Sequence, residues 1–392
     1  MTHYLAQNPL DPAGFTNGGW APRYTNIRNT FTFIATVEAA AALTAAQKEA
    51  ARGFAKTMEA LELHYIIAQR HNLGAVVEVK ANPLELAPFV SRDSVHNYII
   101  ARLEEAATHL GAGGAAFPFT LHAGFNGFNT PTTFRTFNRA LAARVELWRA
   151  ALGNPACGPN GTTCYQRALA AINASFINAG GSLTTGVYHA FSNESGDIRN
   201  RLNQSVDPDL VAHPSDSIDV PLQASGAKDL RYQAKFRRLL DGQGNPTSRL
   251  PSGGAANGIP TTIGFRIYPT DLSPAPIIRN EELILMRAEA RYFTGDLVGA
   301  LADINLIRTT SGGLVARGPF VDANDFITEL LLQRRYSLMW EGHRWIDVRR
   351  YNRLSTLPLD LPSHFRQLQQ PIPQAECDFR SVTVQVSHPV GG

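Results

Sequence analysis

The chain is short of most features that would assign it quickly. Three cysteines in 392 residues are too few for a disulfide scaffold or a multi-cysteine metal site. No apolar run approaches the ~18–20 residues that cross a bilayer as a helix. The start, MTHYLAQNPLDPAGF, has neither the basic n-region nor the apolar h-region of a secretion signal. A net charge of +3 does not call for a nucleic-acid partner, and no basic run interleaves with aromatics. Catalytic signatures are missing as well: there is no His-Glu-x-x-His, Gly-x-Ser-x-Gly elbow, phosphate loop or EF-hand. His64 and His71 sit seven apart and read as packing residues. The GAGGAA run at 111–116 follows a helix, so it is a turn and not a dinucleotide fingerprint. The carboxylate pairs Glu104/Glu105 and Glu281/Glu282 fall in helix turns. No catalytic residue, metal or cofactor is therefore expected.

What is present is helical periodicity. In RNEELILMRAEARYFTGDLVGALADINLIR, Leu283, Met286, Ala290 and Phe293 form one stripe; Leu297, Ala300, Leu301, Ile304 and Ile307 form a second. Gly295 suits the left-handed position that ends the first helix, and Asp296 suits the N-cap of the next. Asn280 is placed as the N-cap of the first helix, with Glu281 and Glu282 in its positive-end turn. Such a tight helix pair is one tetratricopeptide-like unit, which needs neighbours to bury its apolar face. Near the start, Tyr24, Ile27, Phe31 and Ile34 line one helix. Thr44 and Gln47 form a capping box for a second, with Phe54, Met58, Leu61, Tyr65 and Ala68 inward. Further helices are expected over 94–110, 132–152 and 165–179. The stretch 180–276 is rich in Ser, Asn, Asp, Gly and Pro and weakly periodic, a composition that often carries function.

A third C-terminal helix, ITELLLQRRYSLMWEGHRWIDVRR, mixes fixed charges with large apolar side chains, so its charges must be paired. Glu341 with Arg344 and His343 with Asp347 have the spacing for it. WEGHRWIDVRR followed by QPIPQAE resembles the C-terminal hallmark of the SusD/RagB family. Arg334, Arg335, Leu338, Glu341, Gly342, Arg344, Asp347, Arg349 and Arg350 match, with Pro371, Ile372, Pro373 and Glu376 closing. Ser337 stands where that family usually has Glu, and Trp340 replaces the common Phe. The segment around Trp20, Tyr24 and Ile27, ending near Gly74, is similar to the family's first repeat. The resemblance implies a mostly α fold: about four tetratricopeptide-like pairs in a curved scaffold carrying a loop-rich lobe. The expected division is 1–180, 181–276 and 277–392, within one compact structural unit.

The resemblance also implies a function. SusD-like proteins are outward-facing outer-membrane lipoproteins that bind oligosaccharide or polysaccharide and act with a SusC-like TonB-dependent barrel, without catalysis. No cysteine precedes Cys157, so the chain reads as a fragment or processed form lacking its lipid anchor. Cys157 and Cys164, in the turn-rich NPACGPNGTTCYQ, leave two readings: two free thiols, or a disulfide contributing roughly 2–3 kcal/mol on the loop-entropy account.

Aromatics in Gly/Asn-rich loops are the usual material for stacking on a pyranose. On that ground the candidates for ligand contact are Trp20 with Asn17, Phe125 with Asn126, Phe128 with Asn129, and Tyr188 with Phe191. The bland alternative is that these rings plug the core. A peptide ligand, a cytosolic helical-repeat adaptor and a glycoside hydrolase remain the competing functions.

Overall fold

The computed structural model describes residues 10–82, 84–203, 210–250, 258–380 and 389–390. It separates into two compact units, one of Asn8–Ile177 with Gln367–Val390 and the other of Asn178–Arg366.

The first unit is built on five helices: α1 (Ala21–Ala39), α2 (Ala45–Arg70), α3 (Arg92–Gly111), α4 (Pro131–Ala151) and α5 (Thr162–Asn173). Each packs on the next in sequence, which is tetratricopeptide-like stacking. α2 starts where expected: the Gln47 N–H donates to Thr44 Oγ1 (3.2 Å) and the Thr44 N–H to Gln47 Oε1 (2.9 Å). α3 starts earlier than the periodicity indicates, because Ser91 and not Ser94 caps it; the Ser94 N–H donates to Ser91 Oγ (3.2 Å). Its inward stripe of Val95, Ile99, Leu103 and Ala106 is fully buried. Cys157 and Cys164 form a disulfide with Cα atoms 4.9 Å apart, stapling the turn between α4 and α5. After α2, Gly74 takes φ +72°, and the short antiparallel pair β1 (Ala75–Val76) and β2 (Phe89–Val90) follows. The Pro371–Pro373 turn belongs here too. The Gln370 N–H donates to Gln69 O (2.9 Å) and the Gln374 N–H to Pro12 O (3.2 Å).

The second unit opens with β3 (Gly186–His189), the short helices α6 (Ser215–Ile218) and α7 (Leu230–Lys235), then β4 (Phe236–Arg238), β5 (Ile263–Phe265) and β6 (Ala275–Arg279). β3 pairs antiparallel with β6, and β4 with β5. The loop-rich stretch is thus tied down by two small ladders. α8 (Asn280–Phe293) and α9 (Leu297–Thr310) form the hairpin. Gly295 ends α8 at φ +92°, and Asp296 caps α9 by accepting the Gly299 N–H (2.8 Å). Leu283, Met286, Ala290, Ala300, Ile304 and Ile307 are buried, whereas Leu297, in the first turn, is exposed. Asp303 adds a polar clamp, accepting from Arg287 (2.6 and 2.9 Å) and Arg291 (2.8 Å).

Two expectations fail in this unit. Asn280 is not the N-cap of α8; Arg279 holds that place. The Asn280 side chain instead accepts the Asn178 N–H (2.9 Å) and donates to Asn178 O (2.7 Å) and Ser182 O (3.1 Å). A bulged loop with unmet backbone groups outcompetes the helix end for that amide. The long third helix is broken into α10 (Ala323–Ser337) and α11 (Arg344–Arg350). Trp340 (φ +64°) and Gly342 (φ +82°) lie in the left-handed region between them, which no continuous right-handed helix admits. Among the described residues no helix is long and apolar enough to cross a membrane.

Candidate ligand-binding site

The break between α10 and α11 shapes the site. A non-glycine residue at φ +64° costs about 1–2 kcal/mol, so the surroundings must hold Trp340 there. The Tyr268 hydroxyl donates to Trp340 O (3.2 Å), and the Trp340 ring meets Phe265 edge-on, centroids 4.3 Å apart at 63°. One residue on, Glu341 accepts from Arg279 Nε (3.0 and 3.1 Å) and Nη2 (2.8 Å). Arg279 ends β6 and precedes α8, so this ion pair bolts the Trp340 turn to the helical hairpin.

The charges below are closely balanced. Arg279 also pairs with Glu281, and Ser337 Oγ donates to Glu281 Oε1 (2.6 Å). Burial alone would raise the Glu281 carboxyl, but Arg279, Lys235 and the Ser337 hydroxyl hold it down at about 2. Burial pushes Glu341 upward, with Arg279 opposing. Lys235 donates from Nζ to Tyr336 O (2.8 Å) and to Ser337 O, meeting two carbonyls at the end of α10. Burial, with Arg279 adding to it, depresses that ammonium to about 8.

Above this base lies a depression of about 330 Å³. Its aromatic wall is Trp340, Phe265 and Tyr268, backed by a core of Val220, Phe236, Ile263 and Tyr336. Polar groups come from Asn203, Arg237 and Arg266. The β4–β5 register sets Arg237 opposite Gly264, a residue without a side chain to cover it, and Arg237 Nε donates to Phe265 O (3.2 Å). Asn203 Nδ2 donates to Tyr268 O and holds the loop that follows β5. Burial and the Glu341 charge both raise the Tyr268 hydroxyl, so at neutral pH it remains a hydrogen-bond donor. An aromatic plate ringed by a few fixed donors is the chemistry of a site for a polar ligand with apolar faces.

Most residues proposed from the sequence as stacking plates lie elsewhere. Phe125 is buried among Phe54, Phe134 and Phe137, and Phe128 is buried against Phe176. Trp20 is buried between Tyr24 and Phe89, with the Arg70 guanidinium over its ring. These three rings build the first unit's core and offer no open face. Asn126 and Asn129 remain exposed beside them, and Asn17 has a buried Oδ1. Tyr188 and Phe191 are half-buried; Tyr188, on β3, feels the Arg279 and Glu341 charges but does not line the depression. The residues that do line it escaped the sequence search.

The pairing within the C-terminal motif also differs from the helical spacing. Glu341 meets Arg279, not Arg344, and Asp347 meets Arg334 and Arg350 rather than the His343 ring. The helix breaks at Gly342, so Glu341 and Arg344, on opposite sides of the break, no longer face each other. Arg335 reaches Asp216 (2.9 Å), Asp219 (2.9 Å) and Ser215 Oγ (3.0 Å). Burial, with Arg335 nearby, lowers the Arg344 guanidinium from its ordinary value.

Two arrangements resemble catalytic or metal sites. His213 Nδ1 lies 2.8 Å from Ser215 Oγ, and His213 Nε2 lies 2.8 Å from Asp360 Oδ2. The Ser215 N–H also donates to that Nδ1 (3.1 Å), and the next two N–H groups are bound to His213 O and Pro214 O. No pair of backbone donors is left converging at Ser215 for an oxyanion; the motif caps α6. Glu146 lies close to Cys157 and Cys164, but both sulfurs are in the disulfide.

Residues 266–383 match the model of the SusD family. The C-terminal part of the chain is similar to that family. The chain's fold is also that of solved SusD superfamily structures. One from Parabacteroides distasonis is 16% identical, with 96% of this chain covering 87% of that one at TM-score 0.68. Bacteroides fragilis NanU is 14% identical, with 100% covering 92% at TM-score 0.63. A SusD homolog from Bacteroides thetaiotaomicron is 15% identical, with 93% covering 82% at TM-score 0.63. No curated protein matches. The family match begins at Arg266 and takes in Tyr268, Arg279 and Trp340. The aromatic wall and the ion pair that sets it thus lie almost wholly inside the matched segment.

Proposed function

We propose that this SusD-like protein captures oligosaccharide at the outer face of the outer membrane and passes it, unaltered, to a SusC-like TonB-dependent barrel. The observation that carries the reading is the depression walled by Trp340, Phe265 and Tyr268. A strained backbone is held open there by a buried ion pair, and strain kept at a polar-rimmed aromatic surface is a mark of ligand contact. Sugar C–H faces would stack on the indole, while the Asn203 amide as donor and the Tyr268 hydroxyl oxygen as acceptor suit sugar hydroxyls. The family match and the fold neighbours support a cell-surface, transporter-linked setting. Tyr188 and Phe191 are retained as contacts for a longer glycan.

Isothermal titration of the intact protein against oligosaccharide and oligopeptide panels tests this. Heat with a subset of glycans, and the glycan recovered unchanged, is expected. Heat with peptides alone overturns the sugar reading, and turnover of a bound glycan overturns the passive role. A TonB-dependent barrel encoded directly upstream, and co-purification with it, would support the partnership.

A further inference from the structure

Resting on that reading, we propose that the depression selects sugars carrying an anionic substituent, a carboxylate or a sulfate. Two guanidinium side chains, Arg237 and Arg266, line it together with Asn203 and Trp340, and no lining residue is acidic. Arg266 is exposed, yet its guanidinium is held: Nε donates to Ala234 O (3.1 Å) and Nη2 to Gln233 O. Both partners are neutral carbonyls, which orient the fork without cancelling its charge. Among the described residues Arg266 has no ion-pair partner, and Nη1 makes no hydrogen bond. A pre-oriented guanidinium loses little entropy on binding and presents paired donors matched to a carboxylate or sulfate edge. The nearby carboxylate, Glu341, is occupied by Arg279 beneath Trp340 and does not offset the rim. The site thus combines a plate for a ring with fixed positive charge at its edge.

The test is titration of the intact protein with matched oligosaccharides: a neutral one, its uronate form and its sulfated form, each at low and physiological salt. An acidic peptide is run beside them. An anionic sugar is expected to bind about tenfold or more tighter than its neutral partner, with the preference shrinking as salt rises. Uronate and sulfate arms distinguish the two anions. Arg266→Gln should bring the affinity for the anionic sugar down to that for its neutral partner, and Arg266→Lys should keep part of the preference. Equal binding of neutral and anionic sugars overturns the charge selection and leaves the glycan function standing. Binding of the acidic peptide with no sugar bound overturns both. If Arg266→Gln and Arg237→Gln both keep the wild-type preference, the assignment of these side chains is overturned.

Discussion

Asp347→Asn probes the charge network more sharply than any other change. Asp347 accepts from Arg334 Nε (2.7 Å) and Arg350 Nε (3.1 Å), and all three groups are buried. Arg350 also grips Glu289, itself fully buried (2.7 Å from Nη2). Arg334 also approaches Glu282 (4.0 Å) and His343 Nδ1 (3.5 Å). Replacing the carboxylate by an amide of equal shape keeps the packing and removes the shared counter-charge, which for a buried pair costs about 3–5 kcal/mol. The penalty must depend on pH. Burial works to raise the Asp347 carboxyl, but Arg334 and Arg350 hold it at about 2 against an ordinary 3.8. A depressed acid stabilises the fold above its unfolded pKa and loses that contribution as pH falls through the folded one. The shift corresponds to about 2 kcal/mol, roughly half of it gone by pH ~3. Guanidinium denaturation followed by tryptophan fluorescence, on wild type and variant from neutral pH down to pH ~3, measures the gap. It should narrow by about 1 kcal/mol over that range. A gap that is small at neutral pH, or one that does not change with acid, would show that Asp347 is not the shared anion of Arg334 and Arg350.

Other substitutions report on separate parts of the molecule. Cys157→Ser should lower stability by roughly 2–3 kcal/mol, since it opens a short covalent loop; equal melting of wild type with and without reductant would argue against the disulfide. Gly74→Ala puts a Cβ into the Val90 carbonyl at a φ of +72°, so a loss well above the ~1 kcal/mol of strain alone is expected by thermal melting. Trp340→Gly should abolish glycan heat by titration while leaving the protein folded, because glycine accepts φ +64° without strain and the plate is removed. Full binding by this variant would move the site elsewhere.

How much was legible depends on the range of the interactions. Capping boxes, the Gly295–Asp296 turn and the apolar stripes of α8 and α9 are set by residues within one or two helical turns, and periodicity reveals them. The repeats around Trp20 and the SusD-like C-terminal motif were readable for the same reason, as strings with fixed spacing. Phe125, Phe128 and Trp20 misled because an aromatic in a Gly/Asn loop has the same local text whether it faces solvent or core. Burial is decided by what else arrives, here Phe54, Phe134, Phe176 and Phe89.

The chain's own order of residues determined a helical protein of paired units with strongly charged, internally paired helices near its end. Tertiary structure alone decided which charges meet. Arg279 lies 62 positions from Glu341, and Arg350 lies 61 from Glu289. It likewise decided that the last long helix breaks at Trp340, and that positions 202–203, 237, 265–269 and 340 share one depression. Helix spacing constrains only neighbours a turn away; a guanidinium buried in a dry interior takes whichever carboxylate the packed backbone delivers, and the binding surface forms where those long-range pairs hold the chain open.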